Sequence, residues 1–439
     1  MGEKRGLVQK TLGRLKSAIF EKGKTIYRIN IPSFRKSRKK IEARPKEKQI
    51  RIGFMIQCPQ NWAVLQSVYQ KALEDDRTEP VVLLIPEMEF VHYVTVKNII
   101  WEKTYEFGEK LFGKQAVKTY NPESGNWEEL EPLKLDYVFI PRPYETYLPK
   151  AYRASAIRKY AKVCYIPYAF PILSDWEVLY NSHFIRNVSL VFCEKERSAE
   201  YVRNQFSKTV RSGDQKVFFC GYPKFDLIED HSGNESELWP RKKTEEITRI
   251  IWTPRWTTDP RLGGSSFFKY KDQLIEWAEE DQRIDLVFRP HPLALDHYIS
   301  AGLMTKQEQD DYLDRYARCK NANVDRTTTY FDTFYSSDCL ITDVSSIIMD
   351  YLFTDKPIIY CRSTDDEHIS LPDLRECMYM VGSFGELKDM VERVRRGEDP
   401  QRDARRKLIR KLKPEETSAA LILREIINDY NGKKNISGE

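Results

Sequence analysis

CLITDVSSIIMDYLFTDKPIIY, residues 339–360, is the stretch that decides the fold. Cys339–Thr342 is a short apolar run, and Asp343-Val344-Ser345-Ser346 is a tight polar turn. An apolar helix then leads through Asp355-Lys356 into a second apolar run, Pro357–Tyr360. Strand, helix and strand in so few residues predict a crossover between parallel neighbours. A helix that begins where a strand ends presents unpaired backbone N–H groups and the positive end of its dipole, which suits a phosphate. Ser345 and Ser346 add hydroxyls at that mouth. Asp and Ser are also ordinary helix caps, so the surroundings decide the reading.

Working outward, the same alternation recurs on both sides. Arg51–Gln57, Val81–Ile85, Tyr137–Ile140, Val163–Pro167, Leu190–Cys193 and Val217–Cys220 read as strands, with helix-like Trp62–Leu73 and Ala151–Tyr160 among them. After a polar break near residues 229–248 come Ile250–Thr253, Leu286–Phe288, Cys339–Thr342 and Pro357–Tyr360. Nearly all-apolar strands separated by helices predict parallel sheets covered on both faces. The fold class expected is therefore α/β, with two doubly wound Rossmann-like domains that face a central cleft. The partition expected is a basic extension over 1–48, a first domain over 49–235 and a second over 236–439. In such sheets ligands bind beyond the carboxyl ends of the strands.

Two further strand ends carry cations. Trp252-Thr253-Pro254-Arg255-Trp256 follows one apolar run, and Arg289-Pro290-His291-Pro292 follows another. Prolines fix the backbone around these side chains, and arginine matches phosphate with a rigid fork of donors. Together with Ser345 and Ser346 they predict a phosphate cradle, with His291 placed to act on the group it holds.

The net charge of +5 is uneven. Residues 1–50 hold sixteen Lys and Arg against four acids, so the remainder is mildly acidic. That distribution, with no nucleic-acid-binding motif, excludes a broad nucleic-acid footprint. In residues 7–20 Leu7, Val8, Leu12, Leu15, Ile19 and Phe20 recur at helical spacing among basic residues, and the polybasic run 35–40 follows. This is the composition of a segment that lies on an anionic membrane surface; a solvated tail or a helix packed on the body is the plainer alternative. No apolar run is long enough to span a bilayer and no secretory leader is legible. The expectation is a cytoplasmic protein, peripheral on the inner face of the membrane. The eight cysteines form no C-x-x-C pair and read as small core residues in a reducing compartment.

Cys220-Gly221-Tyr222-Pro223-Lys224-Phe225-Asp226, WTPRW, FRPHP and TDVSSIIMDYLFTDKPIIY occur in the order and approximate spacing of the CDP-glycerol glycerophosphotransferases. The chain resembles that family, which includes teichoic acid primases and polymerases, over roughly residues 160–365. The resemblance implies a GT-B fold, a CDP-alcohol donor bound by the second domain, a glycan or lipid-linked acceptor and attachment to the membrane surface. It implies catalytic roles for His291 and Asp343. It matches Arg255, Ser345 and Ser346 to positions that contact the donor pyrophosphate, and Arg289, Thr342, Gly221, Tyr222 and Pro223 are further donor-side candidates.

One departure stands out. The family's polymerases carry a His-Gly motif in the first domain, and the matching stretch here, Val163–Phe170, has no histidine. Tyr168 occupies that region, but a phenol with a pKa near 10 is a poor base at neutral pH. Tyr168 and Arg142 are the acceptor-side candidates, with Asp136 and Glu145 nearby. No carboxylate cluster suggests a metal site, no cofactor is implied, and Mg²⁺ dependence stays open. The reaction expected is attack of an acceptor hydroxyl on the polyol-bearing phosphorus with release of CMP. The alternatives are a GT-B glycosyltransferase that uses a nucleotide-sugar, and a scaffold that has lost catalysis.

Overall fold

A computed structural model describes residues 35–45, 49–91, 95–173, 176–180, 183–228, 231–260, 263–327, 329–363 and 369–432. The helix read over residues 7–20 lies outside them. The described chain divides into two compact units. Of the described residues, the first takes those within 35–168, 177–220 and 419–432; the second takes those within 169–176 and 221–418. The division thus differs from a single linear boundary at 235/236. The second unit begins at Gly221, and the last helix, Ser418–Tyr430, is assigned from Ala419 onward to the first.

In the first unit seven parallel strands form one sheet. Their spatial order is Lys216–Phe219, Leu190–Cys193, Lys162–Tyr165, Tyr137–Phe139, Ile50–Ile56, Thr78–Leu84, Val117–Lys118. From Ile50–Ile56 the chain moves to one side, then returns at Tyr137–Phe139 to build the other. The point where the order reverses lies between those two strands. Most strand residues are buried, as apolar segments covered on both faces must be. An antiparallel hairpin, Glu87–Val91 with Thr95–Ile100, has no counterpart in the sequence reading. The C-terminal helix is pinned by an ion cluster: Asp429 accepts from Lys162 Nζ, Lys216 Nζ and Tyr137 Oη, each at 2.7 Å.

The second unit holds six parallel strands in the order Ala322–Val324, Ile284–Phe288, Thr248–Thr253, Cys339–Thr342, Ile358–Cys361, Tyr379–Val381. Here the order reverses between Thr248–Thr253 and Cys339–Thr342. Its core is aromatic. Trp252, fully buried, stacks on Phe267 at 5.7 Å and packs on Phe288 at 4.9 Å. An indole burying roughly 200 Å² contributes on the order of 5 kcal/mol. That packing fixes the helix Phe267–Glu280 against the sheet.

Candidate active site

The register Thr253↔Thr342 sets the two strand ends beside the reversal point level with each other. Arg255 and Asp343 therefore leave the sheet as neighbours, where a doubly wound sheet places its ligand. Asp343 is fully buried and both its oxygens are taken. Oδ1 accepts from the Arg255 N–H at 2.7 Å; Oδ2 accepts from the Ser266 N–H at 2.7 Å and the Ser266 hydroxyl at 2.9 Å. Burial pushes its pKa from 3.8 to about 6, and these bonds together with the Arg255 charge oppose the rise. In place of the catalytic role expected of it, Asp343 holds other groups in position, since a side chain with no exposed surface does not reach a ligand.

What it holds is the Arg255 turn. The Arg255 carbonyl accepts from Ser265 Oγ at 2.8 Å and from the Tyr298 hydroxyl. Its Nη1 donates to the Val344 carbonyl at 2.6 Å. Both backbone groups and the fork are thus fixed before any ligand arrives, which is how charge is preorganised for catalysis. Thr342, expected on the donor, is instead buried and donates to the Thr253 carbonyl at 2.8 Å, tying the two strand ends together. Ser345 and Ser346 remain partly exposed at the start of the six-residue helix Ile347–Leu352. Ser345 Oγ accepts only a long 3.4 Å contact from the Ile347 N–H, and Ser346 makes no side-chain capping bond.

His291 stands one strand further along, exposed at its outer edge. The protein packed around the ring, and after it the charges of Arg255 and Arg289, pull its pKa from 6.5 to about 4. Nδ1 accepts from the Leu293 N–H at 3.1 Å. At neutral pH the ring is therefore uncharged and carries its proton on Nε2, a ready hydrogen-bond donor. Trp256 flanks it with ring centroids 6.3 Å apart.

Arg289, read from the sequence as a phosphate ligand, has partners within its own sheet: Nη1 pairs with buried Asp325 at 2.6 Å, Nη2 donates to the Thr327 carbonyl at 3.0 Å, and the guanidinium lies 4.4 Å from the Tyr330 ring centroid. It supplies charge near His291 while Nη1 and Nη2 each hold a partner on the far side. Gly221, Tyr222 and Pro223 are likewise buried. Gly221 has φ +74°, and a Cβ there would meet Ser418 Oγ at 2.8 Å and Pro414 at 2.9 Å. Tyr222 packs on Phe170 and Phe225. This motif is a packed turn at the start of the second unit and does not offer a surface to a nucleotide.

Sequence reasoning missed the network behind the site. Lys224 Nζ pairs with Asp350 at 2.6 Å, and Tyr330 Oη donates to the same carboxylate at 2.6 Å. Asp350 within the apolar run IIMDYL was the available signal, because a buried carboxylate requires a partner. In the first unit Tyr168 Oη lies 3.5 Å from Tyr144 Oη, and burial raises the Tyr168 pKa well above 10. Arg142 lies 5.7 Å from the Tyr147 ring centroid. Among the described residues no group of three or more His, Cys, Asp or Glu is placed to hold a metal ion, and no helix is long and apolar enough to cross a membrane.

Residues 191–369 match the family described as CDP-glycerol:poly(glycerophosphate) glycerophosphotransferase. The minor teichoic acid biosynthesis protein GgaB of Bacillus subtilis (strain 168) is 23% identical over 220 residues, which are 45% of this chain and 20% of that protein. The chain thus spans about a fifth of the curated relative it matches. Among solved structures, a variant of the wall teichoic acid polymerase TagF soaked with CDPG matches with a TM-score of 0.51 at 14% identity, covering 94% of this chain and 97% of that one. The Staphylococcus aureus MnaA–UDP structure matches at 0.54 and 11%, covering 89% and 100%. UDP-GlcNAc 2-epimerase from Neisseria meningitidis, bound to UDP-GlcNAc, matches at 0.55 and 12%, covering 86% and 100%. These structural likenesses establish the GT-B fold. Residues 191–369, which hold the four motifs, are thus similar to the CDP-glycerol glycerophosphotransferases.

Proposed function

We propose that the chain transfers glycerol-phosphate, or a similar polyol-phosphate, from a CDP-linked donor to a hydroxyl of a cell-envelope glycan or lipid-linked acceptor. One observation carries the reading: at the reversal point of the second sheet Arg255 is locked by Asp343, beside a neutral His291 and two hydroxyls. In the reaction an acceptor oxygen bonds to phosphorus, the bond from that phosphorus to the CMP oxygen breaks, and the hydroxyl proton passes to a base. Little covalent work falls to the protein, so positioning and charge dominate.

Arg255 and the serine hydroxyls hold the donor pyrophosphate. His291 donates from Nε2 to its oxygens. Tyr168, with its raised pKa, is not the base. Arg142 and the aromatic groups near it belong to the acceptor side, and Mg²⁺ dependence is open. At the extension, Arg35 and Arg38 pair with buried Asp214 at 3.0 and 2.8 Å, while Lys36, Lys39 and Lys40 stay exposed. Those lysines support attachment to an anionic inner membrane face.

A nucleotide-sugar would meet the same diphosphate site, and the fold is shared with proteins crystallised with UDP and UDP-GlcNAc. The test is CMP release from CDP-glycerol with a lipid-linked or glycan acceptor, run beside CDP-ribitol, UDP-GlcNAc and the His291→Ala variant. Acceptor-dependent CMP release that falls by on the order of 10²–10³ in the variant supports the assignment. UDP release from UDP-GlcNAc with none from either CDP-polyol overturns it. Nucleotide binding without any turnover identifies a scaffold.

A further inference from the structure

Tyr330, just beyond the short strand Ala322–Val324, belongs to the second unit and touches both halves of the buried network behind its site. Its hydroxyl donates to Asp350 at 2.6 Å. The same hydroxyl accepts from Lys224, whose Nζ also reaches that carboxylate at 2.6 Å. Burial, and after it the Asp350 charge, holds the phenol pKa well above 10, so the hydroxyl keeps its proton for Asp350. The ring meets the cations. The Arg289 guanidinium lies 4.4 Å and the Lys224 ammonium 5.0 Å from its centroid, within the range where a cation is attracted to an aromatic ring.

Two cations so close to one ring would repel each other, but each carries its own acid. Lys224 has Asp350 and Arg289 has Asp325, both at 2.6 Å, and the two carboxylates expose only 5% and 0% of their side chains. Buried pairs of this kind are costly to break, because the abandoned charge has no water to turn to. Tyr330 therefore stands as a strut between two fixed ion pairs. One end rests on the helix Ile347–Leu352 through Asp350, the other on the end of the strand Ile284–Phe288 through Arg289. Arg289 in turn is two residues from His291. Pro290 and Pro292 lock φ on either side of the histidine, and the Arg289 N–H is tied to the Trp252 carbonyl at 2.8 Å. The turn from Arg289 to Pro292 is thus one stiff piece.

We infer that Tyr330 is a positioning residue for His291: anchored on Asp350 and Lys224, its ring holds Arg289 in place and through it the turn that presents the histidine. The inference deepens the transferase reading above and rests on it for what His291 does to a donor. The strut itself is a property of the second unit alone. Arg255 and the serine hydroxyls do not depend on it, so its loss weakens the bond that His291 makes as charge builds on the phosphate, and leaves donor binding in place.

The test compares wild type, Tyr330→Phe, Tyr330→Leu and Ile275→Ala, the last a truncation of a fully buried side chain elsewhere in the same core. CMP release from CDP-glycerol with a glycan or lipid-linked acceptor gives kcat and KM, urea unfolding gives stability, and the His291 ring signal, assigned by its loss in His291→Ala, is followed by NMR. In Tyr330→Leu kcat should fall about 100-fold while KM for CDP-glycerol stays within about threefold, and the His291 signal should move. Tyr330→Phe keeps the ring, packed on Phe331 and Phe334 at 5.0 and 4.7 Å, but loses the anchor, and should fall between Tyr330→Leu and wild type. Ile275→Ala should lose stability with kcat and the His291 signal unchanged. A kcat loss in Tyr330→Leu no greater than in Ile275→Ala overturns the inference, and so does a rise in KM at constant kcat, which would put Tyr330 on the ligand. Should Tyr330→Leu not fold, Tyr330→Phe decides, and wild-type kcat with an unmoved His291 signal overturns the strut. If the wild type releases no CMP from CDP-glycerol, the transferase reading fails and the His291 signal alone decides: moved in both Tyr330 variants, the strut stands; unmoved, it falls.

Discussion

Asp343→Asn separates the electrostatic cost of the buried carboxylate from its bonding role. Folding raises the Asp343 pKa from 3.8 to about 6, so between those values the native state holds a proton that the unfolded chain has released. The contribution of this group to stability is complete below pH 3.8 and is lost as pH rises through 6. A shift of that size corresponds to about 3 kcal/mol. Asparagine cannot titrate and so lacks this slope. It also turns an NH₂ group toward N–H donors of Arg255 or Ser266 that now meet an oxygen. One buried N–H left unpaired costs about 1–3 kcal/mol.

The wild type should therefore be the more stable protein near pH 4 by about 1–3 kcal/mol. Toward pH 8 the advantage should shrink by about 3 kcal/mol, so that the two stability curves meet or cross. Urea unfolding at several pH values from 4 to 8, followed by tryptophan fluorescence, measures this difference and is indifferent to any constant offset. Parallel curves would refute the reasoning, because they would mean that Asp343 does not change its protonation on unfolding in this range.

Three other substitutions test the scaffold. Gly221→Ala puts a Cβ at φ +74° and within 2.9 Å of Pro414 and Ser418; left-handed strain and overpacking together should cost roughly 2–4 kcal/mol, read as a lower urea midpoint. Lys224→Met strands Asp350 with only Tyr330 beside it and should cost about 3–5 kcal/mol; adding Asp350→Leu should recover much of it, and additive losses would show that the pair is not coupled. Asp429→Ala removes the shared acceptor of Lys162, Lys216 and Tyr137. Hydrogen exchange should then show Ser418–Tyr430 losing protection before either sheet, and unchanged protection would assign that helix's hold to its apolar contacts.

The sequence and the structure agree where the signal is local. Leu190–Cys193 and Cys339–Thr342 are strands as read, and the other expected strands fall within a few residues of their observed limits. Each is an apolar run between turn residues, a pattern that a doubly wound sheet imposes on its strands one at a time. The elements that escaped have weaker signals. Ala322–Val324 and Val117–Lys118 are very short, and the hairpin Glu87–Val91/Thr95–Ile100 mixes charged and apolar residues. The stretch read as a helix over Ala151–Tyr160 contains only a four-residue helix, Ala154–Ile157, preceded by a 3₁₀ turn.

At the site the limit is of a different kind. Position along a strand is local information, so Arg255, Arg289, His291 and Asp343 were all found at strand ends where they stand. The direction of a side chain depends on partners distant in sequence, which periodicity does not carry. Arg255 and Arg289 occupy similar places, each two residues or fewer past a strand, yet one is held at the reversal point by Asp343 and the other is drawn away by Asp325. Asp325 lies beyond a strand too short to read, and so its claim on Arg289 was invisible. Asp343 shows the converse. Its place in a polar turn before a helix is what a catalytic carboxylate and a buried clamp have in common. Only the three donors that converge on it, two of them from Ser266 some eighty residues earlier, tell the two apart. A strand-end motif thus marks which residues leave the sheet at its reversal point, while which of them are held as buried clamps depends on pairs formed across the sheet.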